Sequence, residues 1–405
     1  MTRNSSGHAP ARQGMDFRVC LSSIGRFHFF SLAVELARVG VLEKIYTGYP
    51  SILARRAGIP AHCICSFPWL VAPAMAAPGW VWPTDGVMDA YHNLSHDLHD
   101  RWVASKLSEC EIFHGLSRYN LRAGIQAKKL GAIYICEVGS SHIQEQIEIG
   151  EREHARFGLR GRGFHPRGVE RELKEYETAD RIIVLSNFAL NSFIKRGVPR
   201  SKLSVLPPGV NLLRFQSRQF APKGVFRVLF VGQVTIRKGV HVLAEAFKKA
   251  NLDKSELIVA GGISPGVKAI IDSFGLENVR FLGPVPNSKL PELYQSASVF
   301  VLPSFEDGFG MVALEAMASG CPVIVSSNAG AADMVSEGVN GFVFPSGDVE
   351  ALTDCIQRLY RDPSLAEKMG IEAAEQARRA NTWEQYGDRM ATIYRSFLDV
   401  RGNPG

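Results

Sequence analysis

Short apolar runs alternate with amphipathic stretches along the second half of the chain, and the alternation is regular enough to predict its elements. Runs rich in β-branched and aromatic residues read as strands at 226–232 (FRVLFVG), 256–261, 279–283, 298–303, 322–326 and 341–344. Apolar residues at helical spacing put helices between them, near 239–250, 265–274, 289–296, 310–319 and 329–336, with more from 348 onward. Strands that are mostly apolar, rather than alternating with polar positions, belong in a parallel sheet covered on both faces. The expected class is therefore α/β, with a doubly wound parallel sheet.

The first half repeats this theme less regularly. Strands are expected at 18–22, 43–46, 111–114, 132–137, 181–185 and 203–206, while 50–110 shows no readable pattern. Residues 207–225 (PPGVNLLRFQSRQFAPKGV) are rich in turn formers and read as a linker between two βα arrays. The expected domains are a loose tail at 1–15, a first domain at 16–212, a second at 213–383, and a final helix at 384–405 packing back on the first domain. Ligands of open α/β sheets sit beyond the carboxyl ends of the strands, so two such domains would enclose a cleft.

Composition narrows the class. At 405 residues the chain is long enough for two domains, and 46% hydrophobic with 21% charged residues is ordinary for a globular protein. The first fifteen residues lack the apolar run of a secretory signal. The apolar stretch 67–83 contains four prolines, which argues against a membrane-spanning helix. Seven scattered cysteines without metal-ligand spacing fit reduced thiols, and the expected location is the cytoplasm. Net charge is +6, and the most basic segment, 154–168, holds Arg156, Arg160, Arg162 and Arg167 with no acid. It reads either as a solvated loop or as a patch for anionic lipid or a phosphate-bearing acceptor; with Trp69, Trp80 and Trp82 it would dock the first domain on the inner leaflet. No nucleic-acid-binding signature is present.

Two motifs carry chemistry. In 228–239 (VLFVGQVTIRKG) a strand ends at Gly232 and a helix begins near Gly239, with Arg237 and Lys238 between. Cations at a helix start oppose its dipole, so an anion such as a diphosphate is implied. In 304–320 (SFEDGFGMVALEAMASG), Gly308 and Gly310 allow close backbone approach to a ligand at a helix start. Glu315 lies in an otherwise apolar run and needs donors, which the paired hydroxyls of a sugar would supply.

Together these motifs resemble the family-4 retaining glycosyltransferases of GT-B fold, whose second domain carries G-R-x-x-x-x-K-G after a strand and then two glutamates with seven residues between them around G-F-G. GQVTIRKG and DGFGMVALE stand in the same order here, followed by the similar EAMASGCPVI and SEGVNGFVFPSGD. The resemblance implies two Rossmann-like domains facing across a cleft, with a nucleotide-diphosphate sugar, UDP- or GDP-linked, as donor substrate and no cofactor or metal. It implies that Gly232, Gln233, Arg237, Lys238, Gly239, Glu306, Asp307, Gly308, Phe309, Gly310 and Glu315 form the donor site, with Lys238 and Arg237 on the diphosphate and Glu315 on the ribose. Gln233 stands where the family has arginine, and either Glu306 or Asp307 serves as the first carboxylate.

In the first domain Gly25, His28, His114 and His142 each follow an expected strand. The Gly25 loop would approach the donor phosphates. His142 resembles the family's acceptor-side histidine, and His28 and His114 are further acceptor-side candidates. The implied catalytic set is His142, Asp307, Lys238 and Arg237, moving a hexose-type sugar with retention to a glycan or lipid-linked acceptor in bacterial polysaccharide or glycoconjugate synthesis. A sugar-nucleotide epimerase of the same fold and a non-catalytic sugar-binding protein are the alternatives. The chain has no G-x-G-x-x-G turn after a strand and no G-x-x-x-x-G-K-[ST], as a dehydrogenase or a P-loop kinase would need.

Overall fold

The computed structural model describes residues 17–69, 71, 85–159, 163–219, 222 and 224–402. The tail 1–15, Trp80, Trp82, Arg160 and Arg162 lie outside the described residues. In chain order the first half runs β1 (Val19–Ser23), α1 (Phe29–Arg38), β2 (Leu42–Thr47), α2 (Ser51–Arg56), β3 (Ile64–Ser66), α3 (Asp85–Lys106), β4 (Ile112–Leu116), α4 (Leu121–Lys129), β5 (Ile133–Val138), α5 (Ile143–Ala155), α6 (Pro166–Thr178), β6 (Arg181–Val184), α7 (Asn187–Lys195) and β7 (Leu203–Val205). The second half follows with β8 (Phe226–Val231), α8 (Val240–Ala250), β9 (Ser255–Ala260), α9 (Pro265–Ser273), β10 (Val279–Gly283), α10 (Leu290–Ser296), β11 (Val299–Leu302), α11 (Met311–Ala318), β12 (Val323–Ser326), β13 (Gly341–Phe344), α12 (Val349–Arg361), α13 (Pro363–Ala380) and α14 (Trp383–Gly402).

The strands form two sheets, ordered β3-β2-β1-β4-β5-β6-β7 and β10-β9-β8-β11-β12-β13. Pairing is parallel between β8 and both of its neighbours, β9 and β11. In each sheet the order reverses at the first strand of its array, which makes β1/β4 and β8/β11 the switch points where ligands of such sheets bind. This is the doubly wound architecture expected from the apolar strand pattern. By packing, the chain divides into two compact units: Met1–Cys136 with Lys174–Asp180 and Gly387–Gly405, and Glu137–Leu173 with Arg181–Tyr386.

In the second unit, period-two alternation along β8 feeds two cores. Val228 and Phe230 join Leu243 and Phe247 of α8 and Ile356 of α12, and Ile149 of α5 also reaches this core. Leu229 and Val231 join Tyr294 of α10, Leu314 and Met317 of α11 and Ala377 of α13. With both faces covered, β11 and β12 are buried along their whole length.

In the first unit, α3 supplies the long helix that the hydrophobic pattern of 50–110 did not reveal. The reason is chemical: among its described side chains the buried ones are Ser95, His99, Asp100 and Val103, three of them polar. Asp100 accepts from the N–H groups of Arg122 and Ala123, each at 2.9 Å, and so caps the start of α4. His99 Nε2 lies 3.4 Å from the Ser22 hydroxyl at the end of β1. The helix expected at 329–336 is instead a short 3₁₀ turn, Gly330–Met334. A helix would send the Ser336 N–H back to the Ala332 carbonyl; instead it donates to Asn340 Oδ1 at 2.8 Å, while Asn340 Nδ2 donates to the Met334 carbonyl at 3.1 Å, so the turn stops there. Among the described residues no helix is long and apolar enough to cross a membrane.

Gly239 joins the turn after β8 to α8 with φ 66°, and a Cβ there would lie 1.9 Å from the Pro303 carbonyl oxygen. Both constraints require glycine. Gly239→Ala is expected to cost at least about 2 kcal/mol in urea denaturation. An unchanged midpoint would contradict this packing of the turn after β8 against the turn after β11.

Candidate functional site

The two motif loops are the carboxyl-end loops on either side of the β8/β11 switch point. After β8 the chain passes Gly232 and the exposed Gln233, makes a 3₁₀ turn at Ile236–Lys238, and enters α8 at Gly239. After β11 it runs through 303–310 into α11, with Gly310 at φ 88° as the residue before that helix. The loops are stitched together. The Phe305 N–H donates to the Arg237 carbonyl at 2.8 Å, and Arg237 Nη1 donates to the Glu306 carbonyl at 2.9 Å and to its Oε2 at 3.0 Å. Lys238 forms an ion pair with Asp307. The anions that answer these cations within the chain are thus two carboxylates from the neighbouring loop.

Charge and burial are unevenly shared among the four groups. The Glu306 side chain has no exposed surface, whereas Arg237 keeps 40% of its own. Burial pushes the Asp307 carboxyl up, but Lys238 and Arg237 outweigh that and hold it below its ordinary value. Asp307 is therefore ionised at neutral pH. Its backbone is held as well, with its N–H donating to Asn328 and its carbonyl accepting from Gly330, both at 3.0 Å.

The second unit brings the turn before α5 onto this same loop. Ser141 donates from its N–H and from its hydroxyl to Glu306 Oε1, each at 3.0 Å. A Cβ on Gly308 would lie 2.2 Å from the Gly139 carbonyl oxygen, so only glycine permits the contact. Ser186 donates to the Gly308 carbonyl at 2.7 Å. His142 follows Ser141 and caps α5: its Nδ1 accepts from the Gln144 N–H at 3.3 Å, which leaves the ring proton on Nε2. Burial, and secondarily Arg196, push its pKa down to about 4, so the imidazole is neutral at pH 7.

Glu315 finds its donor within the protein. The Tyr294 hydroxyl donates to its Oε2 at 3.0 Å, and burial pushes the carboxyl up to about 6 despite that bond. His241, on the first turn of α8, stacks on Phe305 at 5.6 Å, and neither of its buried ring nitrogens has a hydrogen-bond partner among the described residues. Phe309 is a core residue, 2% exposed.

The remaining expected residues lie in the first unit. Gly25 and His28 sit in the loop after β1, where Ser23 donates to the Gly25 carbonyl at 2.8 Å. His114 is fully buried on β4, its Nδ1 2.6 Å from the Tyr394 hydroxyl and its ring edge-on to Phe29. It is a core histidine. Sequence reasoning missed Ser141, Tyr294 and His241. Ser141 adjoins a residue it had singled out, but nothing in a serine or a helical tyrosine announces which carboxylate it will meet. A cavity of about 580 Å³ also opens at the start of β8, among Arg218, Phe226, Ser298, Tyr360, Arg361 and Glu367. None of the loop charges lines it, and it lies at the strand end away from the switch-point loops.

Residues 214–376 match the family described as glycosyl transferases group 1. The chain is similar to a D-inositol 3-phosphate glycosyltransferase of Streptomyces avermitilis, 30% identical over 253 residues, which are 56% of this chain and 54% of that protein. The match thus spans about half the length of that relative. In structure it is similar to sucrose-phosphate synthase from Thermosynechococcus elongatus, with TM-score 0.70 at 21% identity over 95% of this chain and 99% of that one. Anabaena HepE in complex with UDP and glucose gives TM-score 0.68 at 17% identity, over 94% and 100% of the two chains.

Glu315 also sets a stability expectation. Its carboxyl holds a proton more tightly in the folded chain, at about 6 against an ordinary 4.5, so folding gains below about pH 4.5 and that gain is lost as pH rises through 6. Above pH 6 the buried charge costs about 2 kcal/mol. Glu315→Gln keeps an acceptor for Tyr294 and is expected to stabilise the ligand-free protein by about 1–2 kcal/mol at pH 7.5, with no gain at pH 4. Equal stabilisation at both pH values in denaturant titrations would contradict this.

Proposed function

We propose, from the match of residues 214–376 to the glycosyl transferases group 1 on a chain of GT-B fold, that the protein is a retaining, metal-independent hexosyltransferase using a UDP- or GDP-linked sugar. One observation carries the reading: two cations, Arg237 and Lys238, stand on the loop after β8 at the switch point, beside the amino terminus of α11. That is where an open α/β sheet binds its ligand, and where free helix N–H groups favour phosphate oxygens. HepE, a protein of the same fold, has been seen with UDP and glucose, which supports a nucleotide sugar as the donor class.

Transfer breaks the bond between the anomeric carbon and the diphosphate oxygen while an acceptor hydroxyl oxygen bonds to that carbon. Negative charge grows on the leaving nucleoside diphosphate, and Arg237 and Lys238 would stabilise it there. Same-face attack would retain the anomeric configuration, with the acceptor proton passing to a donor phosphate oxygen. Ionised Asp307 would accept from sugar hydroxyls, Glu315 from the ribose, and neutral His142 would donate from Nε2 to the transferred sugar. The acceptor is a glycan or a lipid-linked sugar. An anionic inner leaflet would deliver the lipid-linked form, and Trp69, 76% exposed, is a suitable contact for it, while Arg156 is already paired with Glu153 at 3.0 Å.

Lys238→Ala and Arg237→Ala should each lower kcat/KM by about 30- to 1000-fold, the equivalent of about 2–4 kcal/mol of transition-state stabilisation. Wild-type kinetics in both would remove the assignment. Activity should also persist in EDTA, since side chains and backbone supply the charge stabilisation; loss in EDTA with recovery in manganese would show that the reaction runs through a metal.

A further inference from the structure

We propose that Glu306 and Ser141 are positioning residues: they form a fixed bridge that holds the Arg237 guanidinium on the donor diphosphate, and Glu306 itself does not touch the sugar. This rests on the diphosphate reading of the Arg237–Lys238 loop. Glu306 has no exposed surface, and both of its oxygens are occupied, Oε1 by the N–H and hydroxyl of Ser141 and Oε2 by Arg237 Nη1. Ser141 is in turn fully buried, and its carbonyl accepts from Gln146 Nε2 at 2.6 Å, so the donor end of the bridge cannot drift. At the other end Arg237 is tethered through one nitrogen only. Its Nε and Nη2 groups have no hydrogen-bond partner among the described residues, and the side chain keeps 40% of its surface exposed.

That division of labour suits an anion site. A guanidinium free to rotate would lose orientation on every encounter, whereas one clamped at Nη1 offers two further donors in fixed geometry to a phosphate. A buried carboxylate is costly, and an apolar residue would often hold a fold equally well, so a buried ion pair at this place is explained by what it orients. Asp307, partly exposed and paired with Lys238, is then the carboxylate left to face the sugar. The bridge also ties the turn that carries His142 to the loop that carries Arg237, so the two would be set in register by one side chain.

The test is calorimetric binding of UDP, GDP and the corresponding monophosphates to the full chain. Glu306→Gln keeps the acceptor for Ser141 but turns an amide N–H₂ toward Arg237. It should weaken binding of the preferred diphosphate at least tenfold and leave the monophosphate within about twofold. Arg237→Ala should do the same, and the double variant should bind no worse than Arg237→Ala alone, because Glu306 acts only through Arg237. Additive losses, or a Glu306→Gln protein with unchanged diphosphate affinity that fails only in sugar transfer, would overturn the bridge and make Glu306 a sugar ligand. If Glu306→Gln does not fold, Ser141→Ala decides: selective loss of diphosphate affinity supports the bridge, and unchanged affinity overturns it. A wild-type protein that binds neither diphosphate would instead sink the donor reading on which the bridge depends.

Discussion

A carboxylate removed from water is tolerated only where other groups answer its charge, and at the β8/β11 switch point this chain places a fully buried acid, Glu306, beside a largely buried one, Asp307. Glu306 is answered by Ser141 and Arg237, and Asp307 by Lys238. The demand cannot be met from one loop, so it fastens two loops together and fastens the turn before α5 to both. Close backbone approaches follow from it: Gly239 against Pro303, and Gly308 against Gly139, each too tight for any Cβ. The glycines of the motifs are therefore required by the loops' mutual packing, before any ligand is considered.

The same pairing explains how two adjacent cations are held at the start of a helix. Arg237 and Lys238 at the end of a 3₁₀ turn would repel one another and the helix start that follows; the neighbouring carboxylates hold them in place while Arg237 keeps an open face. The match of 214–376 to the group 1 glycosyl transferases and the GT-B fold set this arrangement beside those of sugar transferases. The neutral state of His142 and the ionised state of Asp307 follow from burial in one case and from neighbouring cations in the other.

Much of this was legible in the sequence wherever burial is two-sided. The central strands β11 and β12 of the second sheet are buried along their whole length, and the limits of the sheet's strands were read to within a residue or so because their apolar runs are short and bounded by turn formers. Helix α3 was not legible, since its inward face is Ser95, His99 and Asp100, a polar face that serves as a cap for α4 and a neighbour for Ser22. The turn at 330–334 does not become the expected helix because Asn340 takes the Ser336 N–H and the Met334 carbonyl, a side-chain demand that local propensity does not encode. At the site, the residue types of both motifs could be read, but their pairing could not. Which of two adjacent acids is buried depends on Ser141, more than 160 positions earlier.

The central claim, that the Arg237–Lys238 loop at the switch point is the diphosphate site, is tested most directly by a crystal structure of the protein with its preferred nucleoside diphosphate. The predicted result places diphosphate oxygens about 3 Å from Lys238 Nζ and from the free nitrogens of Arg237, with Glu306 still bonded to Ser141. A nucleotide bound elsewhere, for instance in the cavity beside Arg218 and Tyr360 at the opposite end of β8, with Arg237 and Lys238 still engaged only by their carboxylates, would contradict it.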